Sequence, residues 1–482
     1  MFLFLLVSFI FATPSANSIL YRACVLNSRG SVTGPDKGIG AGVGYLTLQE
    51  GLDAVTNAAK LGCDFLEFPE LAFEQAINAS RSEVVVDGTI PSGKNKPYQI
   101  AMSNAAVANN IVIFMNLVEM GERCTGPGNH HTTCAYNEYT GEFHYTHNTV
   151  VTITAKGSIQ IKYRKLKPMF GLEWHAHGTD VVFADVVMPR SGKTVRMGIC
   201  IYFDILHNTP LPELVTAGVK HLVYSTQWKN FRAGYADLPV FQGISEKYGL
   251  TIIAAGSTLW ASGSAIFQNG KVLAATSGDH NVVLSADIEE NGKEGAGPRG
   301  STSGTTWKFN LLSMNTRIFP AAENRSADFP VSSRAVVSAS LKSSNGIVCT
   351  VSGKLKADSG DKYIIYLRRG TKVVDLRLDD CGVQVCNRLN CTINMAFDTT
   401  ASSVFNQLEI TMSIPKSVFS EAKGFLSSSR MTNDLMCPWQ GGYAFSQVEE
   451  NGMVVGRLEY KRNGNDNDPL VNAQVYGSFA LW

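Results

Sequence analysis

Three stretches of this sequence carry side chains that could together open a carbon–nitrogen bond. Glu70 stands in Phe68-Pro-Glu, Lys165 in Tyr163-Arg-Lys, and a thiol, Cys200, in Met197-Gly-Ile-Cys-Ile-Tyr-Phe-Asp-Ile-Leu206. Amide hydrolysis by a thiol needs a base to form the thiolate, donors for the oxyanion and an acid for the leaving amine. A carboxylate, an ammonium and a thiol supply all three when they meet at the ends of neighbouring strands. Singly, each has a plainer reading. A glutamate after proline is usually a solvated turn residue, and a lysine among Lys162, Arg164 and Lys167 is usually surface charge. Their combination and order beside the cysteine-bearing strand point to chemistry.

The surrounding pattern from residue 20 to 290 alternates strands and helices, which predicts an α/β fold. Thr47-Leu-Gln-Glu50 is a capping box, followed by Leu48, Leu52, Val55 and Ala59 at helical spacing and a stop at Gly62. Cys63 to Phe68 is a short apolar strand with Glu70 just past its end. Ile159, Ile161, Tyr163 and Lys165 alternate along another strand, and Arg196, Gly198, Cys200, Tyr202 and Asp204 fall on one face of a third. His221 to Tyr224 is a further strand, and Asn269-Gly270 marks a hairpin between Ser264–Phe267 and Lys271–Ala275. Glycine-rich sequence at 289–304 and a second break at Pro320–Ser333 precede an all-β pattern: Ile347–Val351, Lys362–Leu367, Thr371–Leu376, Leu408–Ile414, Val454–Tyr460 and Val471–Phe479.

With Glu70 and Lys165, the Cys200–Leu206 stretch resembles the nucleophile strand of the nitrilase (carbon–nitrogen hydrolase) superfamily, and within it the secreted vanin/biotinidase branch. His221-Leu-Val-Tyr-Ser-Thr-Gln-Trp228, the glycine-containing Gly256–Gly270 and Pro469–Phe479 are similar to segments of that branch. The resemblance implies an αββα sandwich over residues 19–310 and a C-terminal β-rich domain over 311–482. It implies Glu70 as general base, Lys165 as stabiliser of the tetrahedral intermediate, Glu173 as a second glutamate orienting the lysine, and Thr226 and Trp228 lining the mouth of the site. It also implies a disulfide between Cys124 and Cys134. In that branch a cysteine directly precedes Phe-Asp-Ile-Leu, whereas here the nucleophile slot reads Tyr202. On a strand, Cys200 and Tyr202 would lie roughly 6.6–7 Å apart, and a displacement of ~1 Å already costs on the order of a hundredfold in rate. Two expectations follow: a catalytically impaired protein that binds a small amide-type ligand, or an active amidase on pantetheine- or biotinyl-type amides that uses Cys200 instead.

Bulk composition sets the context. The chain has 482 residues, 44% hydrophobic and 17% charged, enough for well-formed cores. A formal net charge of +1 without charge runs argues against nucleic-acid partners. The apolar run Phe2–Ala12, followed by Pro14 and small residues, reads as a signal peptide over residues 1–18, too short to span a bilayer. With no other long apolar stretch and no lipid-anchor tail, the expectation is a secreted, extracellular protein. Ten cysteines and the sequons at Asn78, Asn324 and Asn390 fit a disulfide-bonded glycoprotein. Cys24, Cys63 and Cys200, on apolar strands, are expected as free thiols. Cys381-x4-Cys386-x4-Cys391 is not a structural zinc spacing, and the histidines at 130–131, His175 and His177 lack acidic partners. No metal or cofactor is expected. Secretion, sequons and disulfides alone would also suit a structural matrix glycoprotein.

Overall fold

The computed structural model describes residues 19–28, 45–73, 82–93, 96–124, 134–167, 175–207, 209–228, 237–257, 262–276, 281–290, 324–329, 336–356, 362–373, 376–386, 404–421, 425–432, 443–461 and 470–480. The segment read as a signal peptide, the histidines at 130–131, Glu173, Asn78 and Asn390 lie outside these residues.

The first part of the chain runs β1 (Ile19–Asn27), α1 (Leu48–Lys60), β2 (Phe65–Glu67), α2 (Pro97–Asn109), β3 (Val112–Arg123), β4 (Cys134–Asn137), β5 (Glu142–Ile153) and β6 (Ile159–Arg164). It continues through β7 (Phe183–Val187), β8 (Thr194–Ile201), α3 (Leu211–Thr216), β9 (His221–Ser225), α4 (Asp237–Tyr248), β10 (Thr251–Ala255), β11 (Ser264–Gln268), β12 (Lys271–Thr276) and β13 (Val282–Glu289). These strands make two sheets, ordered β13-β1-β2-β3-β5-β4 with β6 beside β5, and β12-β11-β10-β9-β8-β7. The strands that matter most, β1-β2-β3 in one sheet and β8-β9-β10 in the other, are parallel.

Side-chain alternation shows why the sheets stack. In β1, Tyr21, Ala23 and Val25 enter the cluster between the sheets, whereas Cys24 and Leu26 face the layer containing α1 and α2. Phe65 and Leu66 divide in the same way, as do Phe114 and Ile113. On the other sheet α3 and α4 pack through Leu214, Val240, Phe241 and Ile244. The layers are therefore helix, sheet, sheet, helix. The capping box starts α1, with the Glu50 N–H donating to Thr47 Oγ1 and the Thr47 N–H donating to Glu50 Oε2. The α2 N-terminus has no cap from Lys96; instead the buried Glu83 carboxylate accepts the N–H groups of Tyr98 and Gln99 at 2.8 and 3.1 Å.

The chain then forms β14 (Asn324–Phe329), β15 (Val336–Lys342), β16 (Val348–Leu355), β17 (Lys362–Val373), β18 (Leu376–Cys386), β19 (Phe405–Pro415), α5 (Lys416–Glu421), β20 (Phe425–Thr432), β21 (Tyr443–Glu450), β22 (Met453–Lys461) and β23 (Leu470–Ala480). Asn324, the remaining sequon, opens β14. The sheets β14-β17-β18-β23-β20 and β15-β16-β19-β22-β21 enclose a second core, with Val351, Ile365, Val383, Ile410 and Leu458 in it. Strand β20 lies against α4, and Tyr476 of β23 joins the first core. Among the described residues no helix is long and apolar enough to cross a membrane.

Two expectations are corrected here. Thr371–Leu376 is not a strand of its own: it spans the end of β17 and the start of β18, an antiparallel pair. Alternation alone cannot place a tight reversal inside a long apolar pattern. Cys24 and Cys63 are not free thiols but are bonded to each other, with Cα atoms 5.9 Å apart. Burial on an apolar strand does not distinguish a thiol from half of a disulfide. The reversal at Gly62, whose φ of 77° suits glycine, returns the chain to β1 and supplies the partner. Cys124 is bonded to Cys134, and Cys349 to Cys381 across the two C-terminal sheets, while Cys200 is free and buried.

The Cys24–Cys63 bond closes 39 residues, for which loop-closure entropy predicts about 4 kcal/mol of stabilisation. The Cys24→Ala/Cys63→Ala double variant should lose stability on that scale in chemical denaturation. Non-reduced peptide mapping should recover the two cysteines linked, and separate thiol peptides would contradict the pairing.

Candidate functional site

Glu70 follows β2 and Lys165 follows β6, both at carboxyl ends of strands, and both are almost wholly buried at 4% and 1% exposure. Their side chains meet, with Lys165 Nζ donating to Glu70 Oε1 at 2.8 Å. Removing both charges from water is expensive and is offset only when further donors and acceptors complete the pair. Asn148 Nδ2 donates to Glu70 Oε1 at 2.9 Å and the Gln227 N–H to Oε2 at 3.2 Å. Asn148 is held in turn by Asn116 Nδ2 on its Oδ1 at 2.7 Å, and Asn116 Oδ1 accepts the Leu71 N–H at 2.7 Å. The Lys165 N–H donates to the Asn148 carbonyl. Strands β2, β3, β5 and β6 thus share one hydrogen-bonded cluster.

Residue 202 lies in the same place, though not as alternation predicts. Strand β8 ends at Ile201, and Tyr202–Leu206 is a 3₁₀ turn, so Tyr202 and Asp204 do not continue a strand face. Tyr202 has φ 46°, a left-handed conformation that costs a non-glycine residue about 1–2 kcal/mol. The turn is held by Asp204, whose carboxylate accepts the Ile201 N–H, the Lys167 N–H and the Tyr163 hydroxyl at 3.0, 2.8 and 2.7 Å. Burial pushes the Asp204 carboxyl up to about 6, against these hydrogen bonds and the Lys165 charge. The Tyr224 hydroxyl fixes the Tyr202 carbonyl at 2.7 Å.

The strained turn sets the Tyr202 ring over the Lys165 ammonium, 4.9 Å from Nζ to the ring centroid. Trp228 meets that ring edge-on at 5.5 Å and Phe241 of α4 at 5.3 Å, and Tyr224 meets Phe241 at 4.9 Å. Cys200 stays on β8 inside the core, with its thiol pushed well up by burial and by the Asp204 carboxylate. A thiol so placed is a poor source of thiolate.

The structure thus brings together Glu70, Lys165, Tyr202 and Trp228. Thr226 is buried one residue past β9, its N–H on the Ala255 carbonyl, and Glu173 is outside the described residues. Sequence reasoning missed Asn116, Asn148, Asp204 and Gln227. A signal was present for Asn116, which interrupts the apolar run Val112–Val118, but not for Asn148, which follows Thr146 and His147 and precedes Thr149. His175 lies by the Thr146 hydroxyl and His177 by the Leu166 carbonyl, each at 3.1 Å. Among the described residues no three His, Cys, Asp or Glu could hold a metal ion together.

A second buried acid sits at the end of β2. Glu67, fully buried, accepts the Ser225 hydroxyl, whose oxygen also lies 3.0 Å from the Phe68 carbonyl, so the two sheets are tied next to the site. Burial pushes the Glu67 carboxyl well above its ordinary 4.5.

No family model and no curated protein matches the chain. Among solved structures it is similar to an amidase from Nesterenkonia sp., at 14% identity over 56% of this chain and 91% of that one, with a TM-score of 0.37. It is also similar to a mutant of the Nesterenkonia AN1 amidase from the nitrilase superfamily, at 13% identity over 56% and 92% of the two chains, with a TM-score of 0.39. A further mutant of that amidase carries the acetamide moiety of fluoroacetamide on its active-site cysteine, and matches at 13% identity over 57% and 94%, with a TM-score of 0.39.

Two outcomes test the electrostatics. Glu70→Gln or Lys165→Met alone leaves one charge buried without its partner and should cost about 3–5 kcal/mol. The double variant should cost less than the two added together, and strict additivity in chemical denaturation would show the pair to be uncoupled. For Glu67, a raised folded-state pKa means that folding takes up a proton. Its stability contribution is complete below the ordinary carboxylate value and is lost as pH rises towards the folded one. Glu67→Gln should therefore gain stability relative to wild type, by up to about 1.4 kcal/mol per pH unit, once pH exceeds 4.5. A Tm difference that does not change with pH would refute it.

Proposed function

We propose that the protein is a secreted, vanin/biotinidase-like member of the carbon–nitrogen hydrolase superfamily, impaired in covalent catalysis, that binds a small amide-type ligand. One observation carries this: the ring at position 202, on a left-handed turn, covers the ammonium that Glu70 also binds. Glu70 and Lys165 keep the base and the oxyanion donor of amide hydrolysis, and the turn keeps the form of an elbow that would present a nucleophile. A phenol with an ordinary pKa near 10 does not replace a thiol as nucleophile at neutral pH. Polarisation of an amide carbonyl by Lys165 remains available, and formation of a thioester does not. Three disulfides among the described residues favour an oxidising compartment. The vanin/biotinidase branch rests on the motif order and on the C-terminal β-rich region, with domain limits near residues 19–310 and 311–482.

The alternative is an active amidase using Cys200. Its thiol is fully buried and belongs to the intersheet core, which counts against it. Both are tested by amine release from pantetheine and biotinyl amides. Wild type should be at least a thousandfold slower than a cysteine-bearing relative (roughly 4 kcal/mol of barrier), and Tyr202→Cys should recover part of the rate. Ordinary turnover by wild type that disappears in Cys200→Ala would instead make Cys200 the nucleophile.

A further inference from the structure

We propose that Gln227 is the specificity residue of this site, its carboxamide donating a hydrogen bond to the carbonyl oxygen of a small neutral amide. The assignment rests on the ligand-binding function proposed above and names the group that reads the ligand. Gln227 is anchored at the site by its own backbone, whose N–H donates to Glu70 Oε2 at 3.2 Å. It lies between Thr226 and Trp228, both buried, and Trp228 packs edge-on against the Tyr202 ring. Its Nε2 is nevertheless buried without any hydrogen-bond partner. A carboxamide nitrogen carries two donors, and a buried donor left unpaired is rare because its lost hydration is not replaced. The charged cluster is arranged otherwise, with Glu70, Lys165, Asn116 and Asn148 hydrogen-bonded to one another, whereas Thr226 Oγ1 next to Gln227 and Glu67 Oε2 are likewise buried without a partner. Gln227 Nε2 thus lacks an acceptor beside an ion pair that is itself hydrogen-bonded.

The charge of the site selects among acceptors. Among the described residues Lys165 is paired with Glu70 and already acts on the Asp204 carboxyl, so a carboxylate ligand would add an uncompensated negative charge in a buried place beside Glu70. An amide carbonyl accepts the hydrogen bond and adds no net charge. The chemistry is thus that of a neutral amide rather than the corresponding acid.

The test is calorimetric titration of the full chain with propionamide and propionate, for wild type, Gln227→Leu and Gln227→Asn. Wild type should bind propionamide at least tenfold more tightly than propionate. Gln227→Leu should weaken propionamide at least tenfold and also raise Tm, since the unpaired donor is gone. Gln227→Asn keeps a donor on a shorter arm and should fall between the two, which guards against misfolding of the leucine variant. Wild-type binding that is unchanged in both variants would overturn the role of Gln227 and leave the ligand-binding function standing. Tighter binding of propionate would overturn the choice of a neutral ligand. A lower Tm for Gln227→Leu with unchanged binding would assign the carboxamide to a structural water. Absence of any propionamide binding by wild type would remove the ligand-binding function and the Gln227 assignment with it.

Discussion

The contact between Glu70 and Lys165 is the constraint from which the rest of the first core is arranged. Two opposite charges at 2.8 Å with almost no exposure are tolerable only if every remaining lone pair and proton has a partner. The partners come from separate strands, Asn116 from β3, Asn148 from β5 and the Gln227 backbone from just beyond β9. A one-residue slip in any of these strands would turn its polar residue to the opposite face and strand a charge. The ion pair therefore demands one register from both sheets. The intersheet core, by contrast, would accept many apolar substitutions of similar volume.

The elbow at residue 202 depends on the same convergence. A left-handed tyrosine is costly and is held from several sides: by Asp204 on the amides of Ile201 and Lys167, by the Tyr224 hydroxyl on its carbonyl and by Trp228 on its ring. Strain that several independent contacts maintain is a property of the site rather than an accident of a loop. The aromatic chain from Tyr202 through Trp228 to Phe241 reaches α4, which strand β20 covers from the other side. The C-terminal strands thus brace the helix that backs the site.

Much of this was legible in the sequence, because the periodicities involved are local. The α1 capping box, the Asn269-Gly270 hairpin (φ 52° and 79°) and the strands ending near Glu70, Lys165 and Ser225 all follow from short windows. What was not legible depends on sequence-distant partners. The Cys24–Cys63 bond needs the return of the chain after α1, and alternation continued β8 through Tyr202 and Asp204, where a side-chain cap ends it in a 3₁₀ turn. Asn116 was visible as a polar interruption and Asn148 was not, and the role of both appears only when Asn148, 78 residues from Glu70 in sequence, bridges Asn116 to it.

The Lys165 ammonium needs no thiolate beside it to be balanced. Among the described residues it is paired with the Glu70 carboxylate, lies within reach of the Asp204 charge and meets the negative face of the Tyr202 π system. The Glu70–Lys165 pair is then balanced without a nucleophile. Removal of either member would still leave the other buried and alone. This gives a physical reason for the carboxylate and the ammonium to persist together under selection for stability alone. Evidence for a retained ligand must therefore come from a group outside the pair. Among the groups hydrogen-bonded to Glu70, Gln227 stands out, because its side-chain Nε2 remains without a partner in the folded chain.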